Sequence, residues 1–332
     1  MTAADTASPL RIPTAADVND AARLLQGVAV RTPLVRVPVL ERGSGRVFLK
    51  IETLQRTGSF KFRGAYNTIA RIPEGRRAGG VVAFSSGNHA QGVAAAAKLI
   101  GLPAVIVMPR DAPAAKRERT AALGAEVVLY DRERESREEI GARIARERGA
   151  TLVPPYDHPL VIAGQGTVGR EICEDLAAQK LALDLLLAPA SGGGLAAGIA
   201  LAVKEKHPAA RIVAVEPDGF DDHARSFRAG KRESNARLSG SICDALLAPM
   251  PGEITFEITR KLVGEAVSVT DDEARAAMAF AFRELKLVLE PGGAVALAAL
   301  LVKRLDATDG NVVLVISGGN VDAALFAAVI AG

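Results

Sequence analysis

One local pattern recurs along this chain: a short run of Val, Ile and Leu, then a glycine-bearing turn, then an alanine-rich amphipathic stretch. That rhythm predicts βα units on a parallel sheet, because parallel neighbours can be joined only by a crossover, usually a helix. Residues 80–84 predict a strand, with a turn at 85–88, an Ala-rich helix to about Ile100 and a second strand at 104–108. Residues 126–130 predict a third. The pattern resumes with a strand at 183–188, a turn at 191–194, a helix over 195–206 and a strand at 212–216, then ends with a strand at 311–316 running into 317–320. In open α/β sheets ligands collect beyond the carboxyl ends of strands, where free backbone amides point outward. The three glycine turns are therefore candidates for a single site.

Composition narrows the function classes. The 332 residues carry a formal charge of only +3, and their basic residues are interleaved with acids, as in the run from Asp131 to Arg148. Such a run reads as a solvated helix face, and nucleic acid is not an expected partner. Two cysteines, Cys173 and Cys243, have neither disulfide-framework nor metal spacing. No apolar run reaches the roughly 20 residues that a membrane span needs, and the first 13 residues lack the pattern of a secretory signal, so a cytoplasmic location is expected. No internal repeat or low-complexity linker divides the chain. A second unit is thus expected as an insertion, not an appendage.

Four short motifs could carry chemistry. In SFKFRGAYN (59–67) Lys61 sits between Phe60 and Phe62; burial would lower its pKa, as a Schiff-base lysine requires, although lysine stems also lie on apolar surface for purely structural reasons. In SSGNH, the residues Ser85, Ser86, Gly87, Asn88 and His89 stand at a strand-to-helix turn, fit either for helix capping or for gripping a carboxylate. In SGGGL, Ser191, Gly192, Gly193, Gly194 and Leu195 allow several amides to converge on a phosphate. The spacing is neither the dinucleotide fingerprint nor a nucleoside triphosphate loop, so a monophosphate fits better than either. In SGGN (317–320), Ser317 ends a strand, and Glu290 opens an Ala-rich helix as a cap or as a buried polar group near the same site.

Taken in this order, the motifs resemble the fold-type II pyridoxal-phosphate enzymes, in the threonine dehydratase and serine racemase branch. The resemblance runs from RTPL (31–34) through PPYDHPLVIAGQGT (154–167) to SGGNVD (317–322). It implies an α/β fold with a large domain (1–79 and 158–332), built on a mostly parallel twisted sheet, and a smaller inserted domain (80–157). Lys61 resembles the lysine that binds pyridoxal 5'-phosphate as a Schiff base, and Phe60 the aromatic residue beside it. Asn88 matches the asparagine on the cofactor's phenolic oxygen, 191–195 the phosphate cup, and Ser317 the hydroxyl facing the pyridine nitrogen. Ser85, Gly87, Asn88 and His89 belong to the substrate-carboxylate loop, and Ser86 matches the acid/base serine opposite the lysine. EPDGFDD (216–222) resembles a divalent-cation site for Mg2+ or Ca2+, with Glu216, Asp222 and the carbonyl of Phe220 as ligands; an exposed acidic turn is the alternative.

Two departures stand out: Ser191 replaces the first of four glycines, and Ala245 replaces a glycine that lies against the cofactor. The end of the chain shortly after SGGN leads to the expectation of no isoleucine-sensing domain. A homodimer is expected. The implied activity is dehydration of L-threonine and L-serine to a 2-oxo acid and ammonia. The rivals are a serine racemase acting through Ser86, a 3-hydroxyaspartate ammonia-lyase in which Arg137 meets a second carboxylate, and a binding protein without turnover. Arg137 lies in a densely charged run and reads equally as a helix-face arginine.

Overall fold

The computed structural model describes residues 11–85, 87–112, 114–131, 133–302, 305 and 309–332. Among these described residues, ten strands form two sheets. The larger holds β1 (Leu34–Arg36), β2 (Arg46–Ile51), β7 (Leu185–Pro189), β8 (Arg211–Pro217), β9 (Glu265–Val269) and β10 (Asn311–Ile316), in the order β1-β2-β10-β7-β8-β9. All neighbours are parallel except the edge pair β1–β2. The smaller sheet, β5-β4-β3-β6, is wholly parallel and uses β3 (Val81–Phe84), β4 (Ala104–Pro109), β5 (Glu126–Tyr130) and β6 (Thr151–Leu152).

Helices cover both faces of each sheet, so the strands are apolar on both sides, as parallel sheets require. Along β2, Val47, Leu49 and Ile51 enter one core and Phe48 the other; along β10, Leu314 and Ile316 face the first and Val313 and Val315 the second. The small sheet divides in the same way, with Val81, Ala83 and Ile106 on one face and Val82, Val105 and Val107 on the other. Strand alternation sets this division directly.

The helix Lys61–Ile69 lies almost in backbone contact with the long helix Pro159–Ala178. A Cβ on Gly64 would fall 2.8 Å from the Val161 carbonyl, and one on Gly164 would fall 2.7 Å from the Arg63 carbonyl. Glycine at these two positions lets the helices close to this distance. The start of the Lys61 helix is held from the other side, since Phe60 N–H donates to the Ser317 carbonyl (3.2 Å) and Ser59 bridges Gly318. The end of β10 thereby positions the first turn that carries Lys61.

Candidate active site

One cavity collects the ends of β3, β7 and β10. Its walls include Phe60, Lys61, Ser85, Gly87, Asn88, His89, Arg137, residues 191–195, Glu290 and Ser317, so the motifs read from sequence converge. Ser86 lies outside the described residues.

The Lys61 side chain opens onto this cavity, its Nζ donating to the Pro155 carbonyl at 2.8 Å and standing 5.3 Å from the Phe60 ring centroid. Close packing around Nζ lowers its pKa to about 8, opposed by the nearby Glu290. Glu290 is buried, and desolvation, reinforced by Asp244, raises its carboxyl to about 7. Asn88 Nδ2 donates to Glu290 Oε1 (2.6 Å), while Asn88 Oδ1 accepts from Asn320 Nδ2 (2.7 Å), which fixes the orientation of the Asn88 amide. His89 is buried with Nε2 2.9 Å from the Val153 carbonyl; burial, then the Lys61 charge, depress its pKa to about 3, so the ring is neutral. His89 is the second residue of the helix Asn88–Ile100, whose N-terminal amides face the cavity end of β3.

The loop 191–195 is shaped for an anion. The Gly192 carbonyl accepts from Thr255 Oγ1 (2.6 Å) and Gly252 N–H (3.2 Å), so the Gly193 N–H of the same trans peptide is turned the opposite way. Gly193 has φ +93°, a conformation that favours glycine, and a Cβ on Gly192 would sit 2.4 Å from the Tyr156 ring. Ser191 Oγ accepts from Ala248 N–H (2.9 Å), leaving its own hydrogen available to a phosphate. Gln165, buried beside Gly194, has no hydrogen-bond partner for either amide atom among the described residues. A lysine amine, a turned glycine loop and an unpartnered amide in one cavity fit a phosphorylated carbonyl cofactor.

Arg137 begins the helix Arg137–Arg148 and lines the same cavity, its guanidinium 5.4 Å from the Phe84 ring centroid. Its Nε also donates to Glu138 (2.8 Å), which offsets burial and keeps it charged. Lys116, paired with Asp244, adds a second cation to the wall. Ala245 also lines the cavity, its methyl carbon 3.4 Å from where a Cβ on Gly292 would lie.

Away from the cavity, Glu216 is fully buried at the end of β8. Its two oxygens accept from His223 N–H (2.8 Å) and Ala224 N–H (3.0 Å), capping the helix Asp222–Ala229. Asp222 Oδ1 accepts from Asn235 Nδ2 (2.7 Å), and burial together with Glu216 raises its pKa. Phe220 is fully buried between them in sequence. Glu216, Phe220 and Asp222 are therefore buried, while Asp218 and Gly219 between them are exposed.

Residues 25–318 match the family described as pyridoxal-phosphate dependent enzymes. The chain belongs to that family. Among its relatives, an L-threo-3-hydroxyaspartate ammonia-lyase of a Pseudomonas species is 44% identical over 95% of this chain and 98% of its own length. An L-threonine ammonia-lyase of Thermotoga maritima is 43% identical over 92% of this chain and 75% of its own length. Of solved structures, maize serine racemase superposes with a TM-score of 0.88 at 37% identity, covering 95% of each chain. The fold is thus that of fold-type II pyridoxal-phosphate enzymes, and the activity falls in their ammonia-lyase and racemase group. No helix among the described residues is long and apolar enough to cross a membrane.

Tyr156, Gln165 and Lys116 line the cavity, and Asn320 holds the Asn88 amide at its wall, without having been assigned roles from sequence. Tyr156, Gln165 and Asn320 lie inside the motifs that carry the family resemblance, which was the available signal; nothing around Lys116 marks it.

Proposed function

We propose that this enzyme is an ammonia-lyase for 3-hydroxy amino acids, with 3-hydroxyaspartate as its preferred substrate. The observation that carries the preference is Arg137, a charged guanidinium in the wall of the cavity that Lys61 enters. A dicarboxylic substrate has one carboxylate for the N-terminus of the helix Asn88–Ile100, with Ser85, Gly87 and Asn88, and a second for Arg137. The 44% identity to a hydroxyaspartate ammonia-lyase supports the same reading.

In this reading Lys61 holds the cofactor, Ser191 and Gly192 to Leu195 bind its phosphate, Asn88 meets its phenolic oxygen and Ser317 its ring nitrogen. Pyridoxal phosphate, when bound, draws electrons from the substrate Cα, so that the Cα proton and the β-hydroxyl can leave. Lys61 Nζ takes the Cα proton; an amine with its pKa near 8 is suited to accept and release a proton near neutral pH. His89, held neutral, places no imidazolium beside Lys61 to compete with its protonation. Ser86 is assigned the proton on the opposite face, which would allow some racemisation. Glu216, Asp222 and the Phe220 carbonyl are assigned to a divalent cation. The enzyme is proposed to act as a cytoplasmic homodimer.

A second reading, dehydration of L-threonine and L-serine, is favoured by the Arg137–Glu138 pair, which leaves less of the guanidinium's charge for a substrate. The deciding measurement is 2-oxo acid release from L-threonine, L-serine and both 3-hydroxyaspartate diastereomers, with Lys61→Ala as control. Oxaloacetate should be the fastest product. Arg137→Ala should lower kcat/KM for hydroxyaspartate by about 30-fold or more, the loss of roughly 2 kcal/mol expected for a buried charge contact, and leave threonine within a few-fold. Faster release of 2-oxobutyrate, with no selective effect of Arg137→Ala, would establish the second reading instead.

A further inference from the structure

Next to Glu216 and Asp222 stands a third group that no role above uses. His223 is fully buried, and Glu216, Asp222 and His223 can each offer one ligand atom with all three within 4.8 Å of one another. His223 Nδ1 lies 3.3 Å from Glu216 Oε1 and 3.8 Å from Asp222 Oδ2. Neither approach is a hydrogen bond. Among the described residues, Asp222 Oδ2 and both ring nitrogens of His223 have no partner. Unpartnered buried polar atoms are costly, each by about 1–3 kcal/mol, so two of them, Asp222 Oδ2 and His223 Nδ1, facing one small space beside Glu216 call for a ligand.

The separations suit a metal ion. Donors about 2.0–2.2 Å from a common ion stand roughly 2.8–3.6 Å apart at cis-octahedral or tetrahedral angles; the 3.3 Å from His223 Nδ1 to Glu216 Oε1 falls in that range, and the 3.8 Å to Asp222 Oδ2 needs to close only by about 0.2 Å. The ring cannot easily swing away. A Cβ on Gly193 would lie 2.8 Å from Nε2, and Phe227 meets the ring edge-on with centroids 5.8 Å apart. Asp222 Oδ1 is held by Asn235, and each Glu216 oxygen accepts one backbone amide, which fixes the carboxylate plane and leaves each oxygen a second lone pair for an ion. These are the supporting hydrogen bonds that orient metal ligands.

We infer that His223 Nδ1 is a direct ligand, making this a mixed nitrogen and oxygen site that selects a transition-series divalent ion such as Mn2+ over Mg2+ and Ca2+. An imidazole donor adds little for the hard ions, which favour oxygen, and progressively more along the first transition row. The inference rests on the cation assignment made above and is independent of the substrate.

The test is to titrate the holoenzyme with Mn2+, following loss of the free-ion electron paramagnetic resonance signal, and to compete the bound ion with Mg2+ and Ca2+. Pulsed resonance on the bound Mn2+ then reads directly coordinated nitrogen-14. The expected result is a nitrogen coupling in the native enzyme and a preference for Mn2+ over Mg2+ of about 100-fold, as an imidazole donor favours a transition ion over a hard one. In His223→Gln the coupling should vanish and the preference shrink to within about tenfold. The coupling and the competition in the native protein decide the matter even if that variant fails to fold. Mn2+ bound without nitrogen coupling, or Mg2+ and Ca2+ competing on equal terms, would overturn the inference while leaving the oxygen site standing. No binding of any of the three ions would overturn both.

Discussion

Lys61 and Arg63 are two residues apart on the first turn of one helix, and their surroundings treat the same charge in opposite ways. Arg63 is fully buried and fully paired. Its guanidinium donates to both oxygens of Glu52 (2.8 and 2.9 Å), to both oxygens of Glu171 (2.7 and 2.9 Å) and to Thr167 (3.1 Å). Lys50 Nζ, also buried, closes the cluster on Glu171 (2.6 Å) and the Thr32 carbonyl (2.7 Å). Burial works against the Arg63 charge, but the carboxylates more than offset it and raise its pKa. Lys61 has one carbonyl for a partner, and its pKa falls to about 8. The contrast separates two uses of buried charge: a closed network that joins β2 to two helices, and an open group kept available for a ligand.

The largest effect expected from this contrast is on stability. Arg63→Met should destabilise the protein by about 3–5 kcal/mol, because it leaves Glu52 without a cation in a dry interior and Glu171 with Lys50 alone. Urea unfolding followed by circular dichroism measures it. A loss below about 1 kcal/mol, the range of exposed pairs, would mean that the network is solvated and the contrast with Lys61 false.

Glu290 provides the next test, since it sits on the open side. A carboxyl whose folded pKa is raised from 4.5 to about 7 binds its proton more tightly when folded. Its contribution is therefore complete below pH 4.5 and is lost as pH rises through 7, by about 3 kcal/mol. His89, depressed to about 3, acts in the reverse sense between pH 3 and 6.5, so the wild-type curve alone mixes the two. The difference between cofactor-free wild type and Glu290→Gln isolates the carboxyl. It should decline by about that amount between pH 4.5 and 7.5, and a flat difference would show Glu290 to be an ordinary carboxylate.

The same contrast explains what the sequence made legible. The βα rhythm and the three glycine turns are local signals, so β5 and β10 fall on the predicted residues and β3, β4, β7 and β8 within two positions of theirs. The short strands β1 and β6 carry too few residues to show a period, and in β9 Glu265 and Ser268 interrupt Ala266, Val267 and Val269. Asn88, 191–195 and Ser317 were readable because each sits in a glycine-marked turn, and Lys61 because two phenylalanines flank it. The Arg63 network was not, since Glu171 lies 108 residues from Arg63 and 121 from Lys50, and neither position departs from a surface-charge pattern. Arg137 shows the limit of charge patterning: the run from Asp131 to Arg148 reads as a solvated face, yet the first residue of its helix, Arg137, turns over Phe84 and lines the cavity. His223 escaped notice because a lone histidine has no spacing to read, and only the fold brings it against Glu216.

The smallest effect is the one of opposite sign. Replacing Arg63 removes a partner, whereas replacing Lys61 removes a charge that the cofactor-free protein solvates poorly. Lys61→Met keeps the length and apolar stem of the side chain, and Phe60 and the Pro155 backbone can receive it. A lysine pKa lowered from 10.5 to about 8 means that the folded protein bears a penalty below pH 8 that fades as pH rises towards 10.5. The side chain opens in part onto the cavity, where water screens the ammonium, so the gain from removing it at pH 7 should be about 1–2 kcal/mol, less than full desolvation would give. That gain should vanish by about pH 10.5, where the wild-type amine is neutral in both folded and unfolded chains. The same variant must lose the lysine-bound cofactor and all 2-oxo acid release. Stability gained where activity is lost is the mark of a residue held for chemistry; if Lys61→Met instead destabilises at pH 7 as Arg63→Met does, Lys61 belongs to the structural set and the open side of the comparison loses its leading member.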